Sequence, residues 1–112
     1  MKPGLRVLLK QAPALLALVS FLALGAEPVA EVGIEKYEFS PRELTVKSGT
    51  TVKWTNNEKR ASHSILFPAD GPLESDRLFP GESWQRTFAK PGTYPYTCGP
   101  HPEMKGVVTV SE

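Results

Sequence analysis

Apolar and polar side chains alternate with a period of two from Val32 onward, in short runs separated by Gly, Pro, Asn and Asp. Successive side chains of a β-strand point to opposite faces, so this period predicts strands with one buried face. An amphipathic helix would instead repeat every 3.6 residues. The runs are rich in β-branched and aromatic residues, which strands favour. The pattern therefore predicts an all-β domain, built as a sandwich or barrel.

The clearest alternation lies on the two sides of the dipeptide 48–49, Ser-Gly. Leu44 and Val46 alternate with polar residues before it, and Val52 and Trp54 do so after it. Two such runs around a short turn that contains glycine predict a hairpin-like pair with one buried face.

Further strands are predicted in the second half of the chain, at residues 63–67, 83–88, 92–98 and 107–110. Between the first two lies 68–81, which is rich in Pro, Gly and Asp and is predicted to be the longest irregular stretch. Pro95 falls inside a predicted strand. Proline cannot donate to a strand ladder, so we expect it at a free edge or a bulge.

The first 26 residues have the pattern of an export signal. Lys2, Arg6 and Lys10 precede an uncharged apolar run, 12–24, which Gly25 and Ala26 follow as small residues suited to cleavage. The apolar run is shorter than the roughly 20 residues that a transmembrane helix needs. We therefore expect a cleaved signal and one mature domain, residues 27–112; an uncleaved anchor is the alternative.

Charge and length restrict the function further. Removing residues 1–26 takes three basic and no acidic residues from the 13 and 12 of the full chain, which leaves a net charge of about −2. A nucleic-acid partner is not expected, because it would require a clustered basic surface. The remaining 86 residues suffice for one domain, and a single cysteine excludes an internal disulfide.

Three side chains that bind soft metal ions follow one another closely at the end of the chain: Cys98, His101 and Met104. The period of the preceding strand puts Tyr94, Tyr96 and Cys98 on one face, so the thiol is predicted to point inward. The same reasoning puts His63, the only other histidine, on one face with Ile65 and Phe67. The four residues are therefore candidate ligands of one buried metal ion.

Copper fits this set of donors best. Thiolate and thioether sulfur are soft and imidazole is intermediate, and two histidines and a thiolate with a weak axial methionine describe a blue-copper site. Zinc would accept the cysteine and histidines but gains little from the thioether. A cysteine nucleophile with a histidine base is conceivable, but it leaves Met104 without a role.

The sequence also resembles a known family, the cupredoxins, from about residue 37 to residue 110. The resemblance is carried by Tyr37, Phe39, Pro41, Leu44, Val46, Gly49, Val52, Trp54 and Asn56, by His63, and by Gly92, Thr93, Tyr94, Tyr96, Cys98, His101, Met104 and Gly106. It implies a Greek-key β-sandwich with one copper ion, His63, Cys98 and His101 as strong equatorial ligands and Met104 as the axial one. The short spacing from His101 to Met104 resembles the amicyanin-like subgroup.

The resemblance implies a function as well. A cupredoxin of this kind carries single electrons between redox proteins, which would dock near His101 against an apolar patch that includes Pro68, Pro100 and Pro102. We expect an exported or periplasmic monomer without stable membrane insertion, and not an enzyme, because copper enzymes need further histidine clusters. A copper-delivery protein with the same ligands is the alternative.

Two positions depart from the family pattern. One is Pro95, which interrupts the aromatic strand before Cys98. Ser64 follows the first ligand histidine, where many cupredoxins have asparagine. Its hydroxyl could still form a hydrogen bond toward the ligand loop. Because such neighbouring groups tune a metal site, the departure affects the expected reduction potential rather than the choice of metal.

Overall fold

The structure is a computed structural model that describes residues 28–112. The predicted export signal, residues 1–26, therefore lies outside the described residues. Within residues 28–112, no helix is long and apolar enough to cross a membrane.

Nine strands make up the regular structure of the described residues, which confirms the all-β prediction. They are β1 (Val29–Glu35), β2 (Glu38–Ser40), β3 (Glu43–Lys47), β4 (Thr50–Asn56), β5 (Leu66–Phe67), β6 (Leu73–Glu74), β7 (Ser83–Phe88), β8 (Gly92–Thr97) and β9 (Lys105–Ser111). One sheet has the order β2-β1-β4-β7 and the other β3-β9-β8-β5-β6. Both sheets are mixed, since β1 and β4 run parallel, as do β3 and β9.

The hydrophobic core lies between the sheets and contains Trp54, whose side chain is fully buried. Trp54 belongs to β4 in the first sheet. Its ring meets Tyr96 of β8 and Phe67 of β5 in the second sheet, with centroids 5.4 and 6.1 Å apart. Edge-to-face aromatic pairs at such distances contribute about 0.5–1.5 kcal/mol beyond their burial. The two sheets thus pack face to face as a sandwich.

The predicted hairpin of β3 and β4 is wrong. β3 pairs with β9 in one sheet, whereas β4 pairs with β1 and β7 in the other. At the turn, the Ser48 N–H donates to the Ser111 carbonyl and the Gly49 N–H to the Phe88 carbonyl, both at 2.7 Å. Gly49 has a φ of 93°, which glycine adopts readily. Alternation indicates that each strand has a buried face, but two strands with buried faces can also lie opposite each other across the core.

The predicted strand at 63–67 is shorter in the structure, where β5 covers only Leu66–Phe67. His63 instead forms an isolated bridge with Leu78, which lies in the stretch predicted to be irregular. Pro95 pairs with Val107 of β9, while β5 pairs with β8 only at Thr97. The edge of β8 beside Pro95 is therefore without a partner strand among the described residues, as expected for a proline there.

Burial of the Tyr96 phenol leads to a testable dependence of stability on pH. The side chain is 1% exposed, and burial raises the pKa of Tyr96 to about 12 from 10. Below pH 10 the phenol is protonated in both the folded and the unfolded protein. Above pH 10 the phenol ionises more readily in the unfolded chain, which favours unfolding. Between pH 10 and 12 the wild-type protein should therefore lose about 2 kcal/mol more unfolding free energy than Tyr96→Phe.

Urea denaturation at a series of pH values measures this difference. Tyr37→Phe, which removes an exposed phenol, is the matched control. Parallel pH profiles for the wild-type protein and Tyr96→Phe would contradict the assignment.

Candidate metal centre

His63 is held at one end of the sandwich by its backbone. Its N–H donates to the Leu78 carbonyl at 3.0 Å, and the Leu78 N–H donates to the His63 carbonyl at 2.7 Å. The imidazole is fully buried. The predicted inward direction of this side chain is thus confirmed, although the bridge to Leu78 rather than a long strand fixes it.

Cys98, His101 and Met104 lie on the loop that joins β8 to β9. The Cys98 N–H donates to the Met104 carbonyl at 3.0 Å, and the Met104 N–H donates to the His101 carbonyl at 2.9 Å. These two bonds close a tight loop. Cys98 and Met104 are buried, and His101 is half-buried.

The structure brings three of the four predicted ligands together. One nitrogen from each of His63 and His101 and the Cys98 sulfur all lie within 4.8 Å of one another. The Cys98 Sγ is 3.6 Å from His63 Nδ1 and 3.5 Å from His101 Nδ1. Metal bonds of about 2.0 Å to nitrogen and about 2.3 Å to sulfur, in tetrahedral or trigonal geometry, separate N and S by about 3.6 Å. The three side chains therefore fit a single metal ion.

Met104 completes the predicted set from the same loop. Its side chain is 3% exposed and belongs to the buried core cluster that also contains Cys98. Its backbone bond to Cys98 brings the two residues side by side. The role of Met104 as a ligand stays a prediction.

A carboxylate orients the His63 ring. Glu58 Oε2 lies 3.1 Å from His63 Nε2 and accepts the Tyr37 N–H at 2.8 Å. Burial raises the pKa of Glu58, but the bonds from Tyr37 and His63 outweigh it and lower the pKa below its usual value. For His63, burial lowers the pKa and Glu58 opposes that shift. A neutral imidazole that donates from Nε2 leaves the Nδ1 lone pair free on the side of Cys98.

Tyr37 packs against both histidines. Its ring meets His63 and His101 edge-on, with centroids 5.2 and 4.9 Å apart, and 49% of the residue stays exposed. Lys36 and Tyr37 both have positive φ, 56° and 58°, so the turn between β1 and β2 is a constrained one. The hydrogen bond that the Tyr37 N–H donates to Glu58 holds this turn over the site.

The Cys98 sulfur is buried beside two backbone donors, the N–H groups of Ser64 and His101. Burial raises the pKa of the thiol, while the Ser64 N–H, 3.4 Å from Sγ, opposes that shift. A metal ion binds cysteine as the thiolate, so the raised pKa adds a proton-displacement cost to metal binding at Cys98.

Sequence reasoning missed the roles of Glu58 and Tyr37. An acidic residue five positions before a histidine is common in exposed loops, so its spacing predicts nothing. Tyr37 lies more than twenty residues before His63 in the sequence, and only the turn after β1 brings it to the site. No local pattern in the chain could have identified either contact.

The donors also indicate which metal they suit. One thiolate sulfur and two imidazole nitrogens, with a buried thioether on the same loop, are intermediate and soft ligands. Copper uses such a set in both of its oxidation states, whereas Mg²⁺ and Ca²⁺ require oxygen ligands.

Comparison with known proteins agrees with this chemistry. Residues 26–111 match the family described as copper binding proteins of the plastocyanin/azurin family. Amicyanin-alpha of Methylorubrum extorquens is 39% identical over 84 residues, which cover 71% of this chain and 70% of that protein. A plastocyanin of Scenedesmus fuscus is 39% identical over 99 residues, with 78% and 94% coverage.

Solved structures of similar fold include copper proteins. A proline-to-glycine variant of amicyanin in its reduced Cu(I) form superposes with a TM-score of 0.71 at 34% identity, over 80% of this chain and 88% of that one. A copper-containing nitrite reductase of Thermus scotoductus has a TM-score of 0.72 at 31% identity, but the match covers only 23% of that chain.

Removal of the Glu58 carboxylate should weaken metal binding. Glu58→Ala leaves His63 Nε2 without its acceptor and frees the Tyr37 turn, so we expect the affinity for Cu(I) to fall about 10- to 100-fold. Competition with a chromophoric Cu(I) chelator measures the affinity. Glu35→Ala, an exposed carboxylate at the end of β1, is the matched control. Equal affinities of Glu58→Ala and wild-type protein would refute this role.

Proposed function

The chain belongs to the plastocyanin/azurin family of copper-binding proteins, and from this membership we propose that it passes single electrons between redox proteins. The observation that carries the proposal is the convergence of His63, Cys98 and His101 around one point that fits a copper ion. Copper bound there would supply reversible one-electron exchange between Cu(I) and Cu(II).

We assign the ligands as His63 and His101 through Nδ1, Cys98 through Sγ and Met104 through its thioether. The distances of 3.5 and 3.6 Å from Sγ to the two Nδ1 atoms support the first three. Burial of Met104 on the same closed loop supports the fourth. A long axial thioether bond would leave the three short bonds to determine the spectrum of the site.

The protein scaffold holds these ligands in nearly one arrangement. His63 is fixed by Leu78 through the backbone and by Glu58 through the ring, whereas Cys98 is fixed by the end of β8 and by its bond to Met104. Electron transfer is fast when the ligands move little between oxidation states. Anchorage on both sides of the site supplies that constraint.

We propose that redox partners dock over His101. This residue is half-buried, its neighbours Pro100 and Pro102 are exposed, and the Tyr37 ring lies against it at the surface. A small apolar contact of this kind suits a partner that must dissociate quickly, since weak redox encounters bury little surface. Tyr37 is thus added to the patch that the prolines were predicted to form.

We propose further that residues 1–26 direct export and that the mature protein is a periplasmic or otherwise exported monomer. The basic start and the short apolar run of that segment support export. Mass spectrometry of the protein recovered from the periplasm tests it, with a mature chain that begins near residue 27 as the expected result.

Catalysis is not part of the proposal. The similarity to the nitrite reductase covers 23% of that enzyme. A second catalytic copper centre would need further histidines, and this chain has two, both assigned to the first site. Copper delivery is also less suited, because His63, Cys98 and Met104 are buried and a cargo ion must leave easily.

Visible absorption and electron paramagnetic resonance of residues 27–112 loaded with Cu(II) test the ligand set. We expect an intense blue band with narrow copper hyperfine splitting, both of which come from the copper–thiolate bond. Cys98→Ser should abolish the band, whereas Met104→Leu should keep it and raise the reduction potential, because the axial ligand tunes the potential. A colourless or tetragonal copper spectrum in the wild-type protein would refute the site.

In electron transfer an electron leaves the protein and the copper ion stays, whereas in copper delivery the ion itself leaves. Stopped-flow reduction of the Cu(II) protein should be fast and complete, with the copper retained in a parallel exchange assay against a chelator. Both follow from a buried, rigidly held site. Slow reduction together with ready loss of copper would favour delivery instead.

A further inference from the structure

Ser64 lies at the centre of a hydrogen-bond network beside the ligand loop. Its hydroxyl donates to Glu74 Oε2 at 2.7 Å and accepts the Gly99 N–H at 3.0 Å, while its own N–H points to Cys98 Sγ at 3.4 Å. Ser64 is 1% exposed and Gly99 is half-buried, whereas Glu74 reaches the network from the exposed surface. The hydrogen bond predicted from Ser64 toward the ligand loop is therefore present, and Glu74 is an unexpected third member.

The carboxylate of Glu74 lies directly against the backbone of the ligand loop. A Cβ atom at Gly99 would overlap both Glu74 Oε2 and Ser64 Oγ, so a side chain at this position would displace the carboxylate and the hydroxyl. Gly99 follows Cys98 immediately. The network thus contacts the loop at the first peptide beyond the thiolate ligand.

Short strand pairing holds Glu74 in place. β6 pairs with β5 in the register Leu66 with Glu74, and the Ser75 N–H donates to the Ile65 carbonyl at 2.9 Å. The Ser75 hydroxyl accepts the Ile65 N–H at 3.0 Å. These bonds tie the backbone of Glu74 to the segment that follows Ser64, and the hydrogen bond from the Ser64 hydroxyl holds the carboxylate of this exposed residue at the site.

The chemistry of the three groups determines the direction of each bond. A carboxylate only accepts, so it takes the single hydroxyl hydrogen of Ser64 and leaves an oxygen lone pair for the Gly99 N–H. Without the carboxylate, the hydroxyl could rotate and lose that orientation. The carboxylate charge lies against Gly99, the residue that follows Cys98, and neither ion pair found in the described residues involves Glu74.

We propose that Glu74 is a positioning residue of the copper centre, which orients Gly99 through the Ser64 hydroxyl and favours Cu(II) over Cu(I) by its charge. The inference deepens the proposed function. Only the second effect, the preference of the charge for Cu(II), rests on that function. The first effect concerns the protein alone and holds without a metal ion. Many cupredoxins have an asparagine at the position of Ser64. In this chain, Ser64 and Glu74 act together there.

Amide hydrogen exchange of Gly99 in the metal-free protein tests the first effect. Ser64→Ala removes the acceptor and should accelerate the exchange most, and Glu74→Ala should accelerate it roughly three- to tenfold through the loss of one ordered hydrogen bond. In the Ser64→Ala background, Glu74→Ala should add nothing, because the carboxylate acts through the hydroxyl. Additive effects of the two substitutions, or an unchanged rate in Glu74→Ala, would overturn the proposal.

The charge effect is tested with Glu74→Gln, which keeps an acceptor for Ser64 and removes only the charge. At a fixed ambient redox potential, the ratio of Cu(I) to Cu(II) should rise roughly three- to tenfold relative to wild-type protein. Gly99 exchange should stay within about twofold of wild type, since a typical hydrogen bond is preserved. Glu31→Gln is the matched control, an equal charge change at an exposed position of β1, four residues or roughly 13 Å before the end of that strand.

The outcomes separate this inference from the proposed function. A wild-type protein without a blue band would refute the copper site, yet the exchange experiment would still decide whether Glu74 orients Gly99. A blue wild-type protein with the same Cu(I) to Cu(II) ratio in Glu74→Gln and Glu31→Gln would overturn the charge effect alone.

Discussion

Packing of aromatic rings around Trp54 is the interaction on which the rest of this structure depends. The ring contacts Tyr96 and Phe67 across the sandwich. Tyr96 lies two residues before Cys98 in the chain, and Phe67 lies four residues after His63. The same contacts that join the two sheets therefore also fix the two segments that carry the proposed ligands His63 and Cys98. A metal site with short bonds needs such support, because small shifts of either segment would separate the donors.

Two carboxylates extend this support from the core to the rim of the site. Glu58 orients the His63 ring and holds the Tyr37 turn. Glu74 lies beside the ligand loop, where it meets Ser64 and the Gly99 backbone. Each carboxylate acts on a different ligand segment. The geometry of the centre is thus maintained by polar contacts at its edge as well as by apolar packing beneath it.

Much of the fold followed from local pattern. The alternation predicted the buried faces of β3 and β4, and the sequence also predicted strands at the positions of β7 and β9. The pairing of β3 with β4 was wrong because side-chain period reports a buried face and carries no information on the partner strand. β5 was predicted too long, since the bridge from His63 to Leu78 depends on a distant segment that has no strand pattern of its own.

The sequence by itself determined the ligand chemistry and the β class. The spacing of Cys98, His101 and Met104 places three donors on one loop whatever the rest of the chain does, and the period of two requires strands. Only the tertiary structure decided which residues surround the metal. Glu58, Tyr37 and Glu74 are common surface types, and Glu74 reads in the sequence as a solvated loop residue. Their roles arise because folding brings distant segments within hydrogen-bond distance, which local sequence patterns do not encode.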